Sequence, residues 1–314
     1  MYGARLGPHV VGVAMKVVSL GGGHGQAAAL SALRLFADEI SAVVSVADDG
    51  GSSGRLVREL SIPPPGDARR NLLALSDDDQ LKAVFDYRFK AGELGGHSLG
   101  NLILAGLTEL EGDFNGALDH AGRLLRAHGR VYPAATEAVR LVADVEGERV
   151  EGQDEIKHRH GIRAVAIDPP EPPAPEAAVA AIGEADLVVV GPGSLFTSIL
   201  PVLAVPAICA AVRSAAATRV LVCNLTVQAG ETEGMDVAAH FDAFVANAGD
   251  GLVDVMLVND APVAFGSALG LPDVDVLGGV PLLRGAVAAE RGAVHDPVLL
   301  AGVLEPLGAG RPGG

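Results

Sequence analysis

Two glycine-rich runs, Gly21-Gly22-Gly23-His24-Gly25 and Asp48-Asp49-Gly50-Gly51-Ser52-Ser53-Gly54-Arg55, each follow a short apolar stretch and lie about one strand–helix–strand step apart. No other feature limits the fold as strongly. Residues 16–20 and 41–46 read as buried parallel strands, and residues 26–36 between them place Leu30, Leu33 and Phe36 on one helical face. Parallel strands joined by a helix open their loops at the carboxyl edge of a sheet. Glycine at such an edge lets backbone N–H groups approach an anion, and a carboxylate there can hold Mg²⁺.

The same rhythm returns later in the chain. Residues 187–190 and 220–223 read as further buried strands, 176–185 and 237–246 as helices, and 253–258 as a last strand. Between the two series, 77–89, 99–110 and 114–125 read as helices, and 140–151 alternates like a β-hairpin. The expected fold is therefore α/β: a Rossmann-like, doubly wound, mostly parallel sheet with an inserted helical and hairpin region at about 77–160. A single domain over 16–307 follows, with a flexible leader at 1–15, in which Met15 is an alternative start, and a disordered tail at 308–314. The proline-rich residues 168–175 fit either a linker or a surface connection within one domain.

Composition narrows the function. Hydrophobic residues make up 49% of the chain but aromatics only 4%, with no Trp, so the core is aliphatic. A formal net charge of −16 without any Lys/Arg run argues against a nucleic-acid partner. No stretch is long enough to span a bilayer. Cys209 and Cys223 sit in apolar stretches without metal-ligand spacing, as reduced core thiols of a cytoplasmic protein do.

The loops carry the chemistry. Gly21, Gly22, Gly23, His24 and Gly25 lack the full dinucleotide spacing and a P-loop Lys, so alone they fit a phosphate loop or a tight strand-to-helix turn equally well. Asp48 and Asp49 are candidate Mg²⁺ ligands or helix caps, and neighbouring strand residues point to opposite faces, so one of the two is expected at the ligand. Gly50, Gly51, Ser52 and Ser53 offer N–H and hydroxyl groups, and the planar fork of Arg55 suits phosphate or carboxylate. Asp67 and Arg69 follow a proline bend. His97, Ser98 and Asn101 open a helix, where Ser98 can cap and His97 is a structural residue, a hydrogen-bond donor or a base. Gly191, Gly193, Ser194 and Thr197 follow the strand at 187–190, and Asn224 and Gln228 the next one. In a doubly wound sheet these loops share one edge, so together they are expected to hold a ligand.

In combination and order, Ala47 to Arg55, Ile62-Pro63-Pro64-Pro65-Gly66-Asp67, Gly96-His97-Ser98-Leu99-Gly100-Asn101 and Gly191-Pro192-Gly193-Ser194-Leu195-Phe196-Thr197-Ser198 resemble the gluconeogenesis-factor (YvcK-like) family, a branch of the CofD-like superfamily. The resemblance runs from about residue 16 to 259. It implies a cytoplasmic binding protein for UDP-sugars such as UDP-N-acetylglucosamine. That protein would be tied to cell shape and peptidoglycan precursor supply during gluconeogenic growth, and would act through a regulatory protein partner. The sister branch implies the alternative, a Mg²⁺-dependent 2-phospho-lactate or phosphoenolpyruvate transferase from a guanosine diphosphate carrier to a deazaflavin. There, Asp48 or Asp49 would hold the metal, and Arg55 and Arg69 would neutralise the leaving diphosphate. Two positions depart from the family pattern: Met235 stands where Tyr is expected, and His24 where Thr is usual. Arg284, beyond the resemblance, is given no role. A homodimer is compatible with this class of fold.

Overall fold

The computed structural model describes residues 14–291 and 293–309. In chain order it begins β1 (Lys16–Gly21), α1 (Gly23–Leu33), β2 (Glu39–Val44), α2 (Gly51–Leu60), α3 (Pro65–Leu75), α4 (Asp79–Asp86), α5 (Leu99–Glu111), α6 (Phe114–Leu124) and β3 (Arg130–Pro133). A small antiparallel unit follows, made of β4 (Arg140–Val145), β5 (Glu148–Glu151), the short α7 (Gln153–Ile156) and β6 (Ile162–Asp168). Winding resumes through α8 (Glu176–Gly183), β7 (Leu187–Val190), a π-helical turn (Leu195–Ile199) running into α9 (Leu200–Leu203), α10 (Pro206–Ser214) and β8 (Thr218–Val222). The chain closes with α11 (Val237–Ala248), β9 (Val255–Asn259), β10 (Val276–Leu277), β11 (Val280–Gly285) and α12 (Pro297–Ala309).

The main sheet has eight strands in the order β10-β11-β9-β8-β7-β1-β2-β3, parallel except for β10, which runs against β11. The chain winds outward from β1 through β2 to β3, then crosses to β7 on the other side of β1. That reversal creates a crevice between the carboxyl ends of β1 and β7, where ligands of such sheets bind. Apolar runs such as Leu187-Val188-Val189-Val190 form central strands because both faces are covered. Val18, Leu20, Val188 and Val190 pack with Ile182, Ile208, Phe241 and the small sheet's Leu141 and Ile167. Val17, Leu187 and Val189 pack on the opposite face with Leu30, Leu33, Leu72, Leu104, Leu300 and Leu304.

Three expectations change here. β3 belongs to the main sheet although it lies inside the span assigned to an insertion, and the small sheet runs on to Asp168, past residue 160. The strand expected to be last is followed by β10 and β11. Gly308 and Ala309, assigned to a tail, belong to α12, whose Leu300 and Leu304 bury against α1; residues 310–314, like 1–13 of the expected leader, lie outside the described residues. The proline-rich segment connects β6 to α8 within the structure, and its Pro173 carbonyl accepts the N–H of Thr136 at 2.8 Å. Among the described residues no single helix is long and apolar enough to cross a membrane. Both cysteines are free, and burial pushes the Cys223 thiol up to about 12.

Candidate functional site at the sheet switch point

A cavity of about 380 Å³ opens at the carboxyl ends of β1, β7 and β8, within the size range of small-molecule sites. Its floor is the first glycine loop. Gly22 supplies no side-chain cap to α1, and no acidic residue stands in the first turn. The N–H groups at Gly23, His24 and Gly25 thus meet the cavity with the positive end of the helix dipole behind them. Gly25 is required by contact: a Cβ there would collide with the Pro192 carbonyl oxygen and lie 2.8 Å from the Gly193 nitrogen. Beneath the loop, the buried Gln26 side chain donates to the carbonyls of Ser19 (3.0 Å) and Val43 (3.1 Å) and accepts from Asn71 at 2.7 Å. These bonds pin α1 and α3 to the strand ends.

The acidic wall is Asp48 and Asp67. Asp67 is buried, presses against Gly22 and pairs with Arg70 at 2.5 Å. Burial, and next the neighbouring Asp67 charge, raise the Asp48 carboxyl above its ordinary range, while the Gly50 N–H at 3.1 Å opposes the shift. Asp49 turns away. Its Oδ1 accepts the Asp154 N–H at 2.8 Å, so it caps α7 and holds the small sheet's appendage against the second glycine loop. Only one of the neighbouring aspartates faces the cavity, as alternation along an extended segment requires.

Of the residues singled out in the sequence, Gly22, Gly23, His24, Gly25, Asp48, Asp67, Gly193, Ser194, Asn224 and Gln228 line the cavity. Asn224 accepts the Gly193 N–H at 3.1 Å and donates to Gln228 at 3.2 Å, and Gln228 donates to Ser194 at 2.8 Å, which ties the loops after β7 and β8 together. Gly21 and Gly191 stand just below, at strand ends.

The remaining candidates form a buried scaffold behind the cavity. Ser52 Oγ lies 2.9 Å from His97 Nδ1 and accepts from Asn101 at 3.1 Å; Asn101 in turn accepts from Arg69 Nε at 3.1 Å. Arg69 is buried and pairs with Asp86 at 2.5 Å. Burial, with Arg55 next, lowers the His97 pKa and keeps the ring neutral. Ser98 caps α5, Arg55 donates to the Gly95 carbonyl at 2.8 Å, and the Ser53 hydroxyl bonds the Asp48 carboxylate. Gly50 stands at the N-cap of α2 and Gly51 opens it. Arg55, Arg69, His97 and Asn101 therefore position α2, α3 and α5 instead of lining the cavity.

Thr197 also does not line the cavity. Its N–H and that of Phe196 each donate to Glu231 Oε1 at 2.8 Å, and its hydroxyl does so at 3.1 Å. Burial raises the Glu231 carboxyl despite these bonds. The carboxylate occupies the place where an anion was expected.

Arg70, Ser198 and Thr226, which lie in the polar segments read from the sequence, also line the cavity, as do Gln153, Lys157 and His295, which sequence reasoning missed. Arg70 had a signal, because its spacing of three from Asp67 on a helix is that of an ion pair. Gln153 and Lys157 lie on and just after α7, which Asp49 caps through a long-range contact that no local pattern shows. Met235 is half-buried against the core and does not line the cavity; Arg284 clamps the Pro272 and Val274 carbonyls at 2.8 and 3.0 Å.

Residues 17–267 match the family described as 2-phospho-L-lactate transferase CofD. The chain belongs to the CofD family. Within it, the chain is 43% identical over 252 residues to a gluconeogenesis factor of Halalkalibacterium halodurans, covering 79% of this chain and 78% of that protein. It is 45% identical over 253 residues to the gluconeogenesis factor of Bacillus subtilis, covering 79% and 80%. A crystal structure of a UPF0052 family member from Bacillus halodurans superposes with a TM-score of 0.87 at 35% identity, covering 93% of this chain and 99% of that one. This CofD-family chain thus stands with relatives named gluconeogenesis factors.

Proposed function

We propose that this chain binds a nucleotide sugar of the UDP-N-acetylglucosamine type and regulates cell-envelope precursor supply during gluconeogenic growth through a protein partner. The observation that carries the ligand class is the uncapped N-terminus of α1, built from glycine and set at the switch point of the sheet. Such a terminus favours a diphosphate through both its free N–H groups and its dipole. Arg70 and Lys157 supply positive charge at the same cavity. Binding without turnover is supported by the placement of the Ser52–His97 pair, which is buried in the scaffold and absent from the cavity lining. The relatives' name, gluconeogenesis factor, supports the gluconeogenic setting.

A second reading draws on Asp48 and Asp67. Two carboxylates beside a diphosphate site fit Mg²⁺, which is commonly held by one or two carboxylates together with substrate phosphates. Asp49, engaged with α7, does not fit that task. Among the described residues no cluster of three or more His, Cys, Asp or Glu would hold an ion without the ligand. Bound there, the ion would screen charge on a leaving diphosphate, as a phospholactate-type transfer needs.

Calorimetric titration with UDP-N-acetylglucosamine and with GDP, each with and without Mg²⁺, separates the two. Selective UDP-sugar binding with the ligand recovered unchanged is the expected result. At a hundredfold excess over Kd it stabilises the fold by about 2.7 kcal/mol. GDP binding that strengthens with Mg²⁺, followed by transfer to an acceptor, would replace the regulator with the transferase.

A further inference from the structure

His295 lies outside the span that matches the family, yet it forms part of the cavity wall. It sits between β11 and α12 on a segment that is firmly held. Ala288 and His295 form an antiparallel bridge, and the Ala289 and Asp296 N–H groups donate to Val294 and Val287 at 2.9 Å each. Asn259, at the end of β9, accepts the N–H groups of Val287 and Ala288 at 3.0 and 3.2 Å. One residue on, Asp296 caps α12 by accepting from Val298 and Leu299 at 2.9 and 3.0 Å. The ring is thus placed by backbone bonds on both sides.

The side chain is only 6% exposed, and its Nε2 is fully buried with no hydrogen-bond partner among the described residues. Buried polar atoms in native proteins are nearly always paired, so an orphan in a cavity wall points to an absent partner. The ring's chemistry narrows what that partner is. Burial lowers the ring's pKa to about 4, with the Cys223 backbone opposing the shift, so near pH 7 the imidazole is neutral and carries one N–H. With that proton on Nδ1, Nε2 is a lone-pair acceptor, which needs a donor and would repel phosphate oxygen.

We propose that His295 Nε2 accepts a hydrogen bond from a hydroxyl or N–H group on the sugar or nucleoside portion of a nucleoside-diphosphate ligand whose phosphates lie at the α1 N-terminus. This rests on the nucleotide-sugar reading of the cavity. It gives the segment after β11 a part in choosing what the diphosphate carries.

The test is calorimetric titration of the full chain and of its His295→Leu and His295→Gln variants with UDP-N-acetylglucosamine, with thermal unfolding as the check on folding. Gln can place an oxygen acceptor near the position of Nε2, whereas Leu keeps bulk alone. The expected result is affinity about five- to tenfold weaker for His295→Leu, the range of one neutral hydrogen bond, and near wild type for His295→Gln. Unchanged affinity in His295→Leu, or equal loss in both variants, overturns the inference and leaves the nucleotide-sugar reading standing. No binding by the wild type overturns both. Should His295→Leu not fold, the ¹⁵N resonance of His295 Nε2 in the wild type decides: a shift on saturation is expected, and an unmoved resonance overturns the proposal.

Discussion

The loops after β1 and β7 lie side by side at the switch point, and both are glycine-rich and followed by a helical turn. They nonetheless end differently. Among the described residues no carboxylate hydrogen-bonds the N–H groups at the start of α1, which open into the cavity. Those of Phe196 and Thr197 are taken by Glu231, buried beside them. A glycine and hydroxyl pattern therefore announces a place for an anion without saying whose. In the first loop that place opens to the cavity; in the second it is filled by the fold itself.

Glu231→Ala breaks the comparison most severely. It strands two buried N–H groups and a hydroxyl, and the expected loss is about 4 kcal/mol of stability, read by urea denaturation. Gly25→Ala attacks the other loop. Its methyl collides with Pro192, costing about 2 kcal/mol of stability and moving the α1 terminus away from Gly193, so that diphosphate binding weakens at least tenfold in a titration. Arg70→Ala leaves the fold in place but removes a cation from the cavity, with an expected ten- to thirtyfold loss of affinity for UDP-N-acetylglucosamine. Asp49→Ala removes the cap of α7 and costs about 1 kcal/mol of stability, with little direct effect on Mg²⁺ dependence, in contrast to Asp48→Asn.

The smallest effect is a pH dependence. Burial raises the Glu231 carboxyl above its ordinary 4.5, so the folded state holds that proton more tightly than the unfolded chain. Stability contributed by this group is therefore present below about 4.5 and declines as pH rises through the raised value, then stays level. The difference between wild type and Glu231→Gln, followed by denaturation from pH 4.5 to 8, should move against the wild type across that interval and then flatten.

Much of this was legible in the residues themselves. The strands at 16–20, 187–190 and 220–223 are apolar because both faces of the sheet are covered, and that pattern is local. So are the glycines of the first loop and the hairpin around Glu146-Gly147. The partners of the polar loop residues are not local. The side chains of Arg55, Arg69 and Asn101 suit an anion, and the same groups also bind carbonyls, carboxylates and hydroxyls. Gly95, Asp86 and Ser52 are their partners only after the chain has folded. The opposite assignments of Asp48 and Asp49 were foreseeable as a difference between strand faces, but not which face each would take. His295 carried no signal, since its significance lies in the burial of one nitrogen.

The most direct measurement is the crystal structure of the chain grown with UDP-N-acetylglucosamine. The account predicts diphosphate oxygens within hydrogen-bond distance of the N–H groups of Gly23, His24 or Gly25, with Glu231 still bonded to Phe196 and Thr197. A diphosphate seated on Phe196 and Thr197 with Glu231 displaced, while the α1 terminus stays free of it, would contradict it.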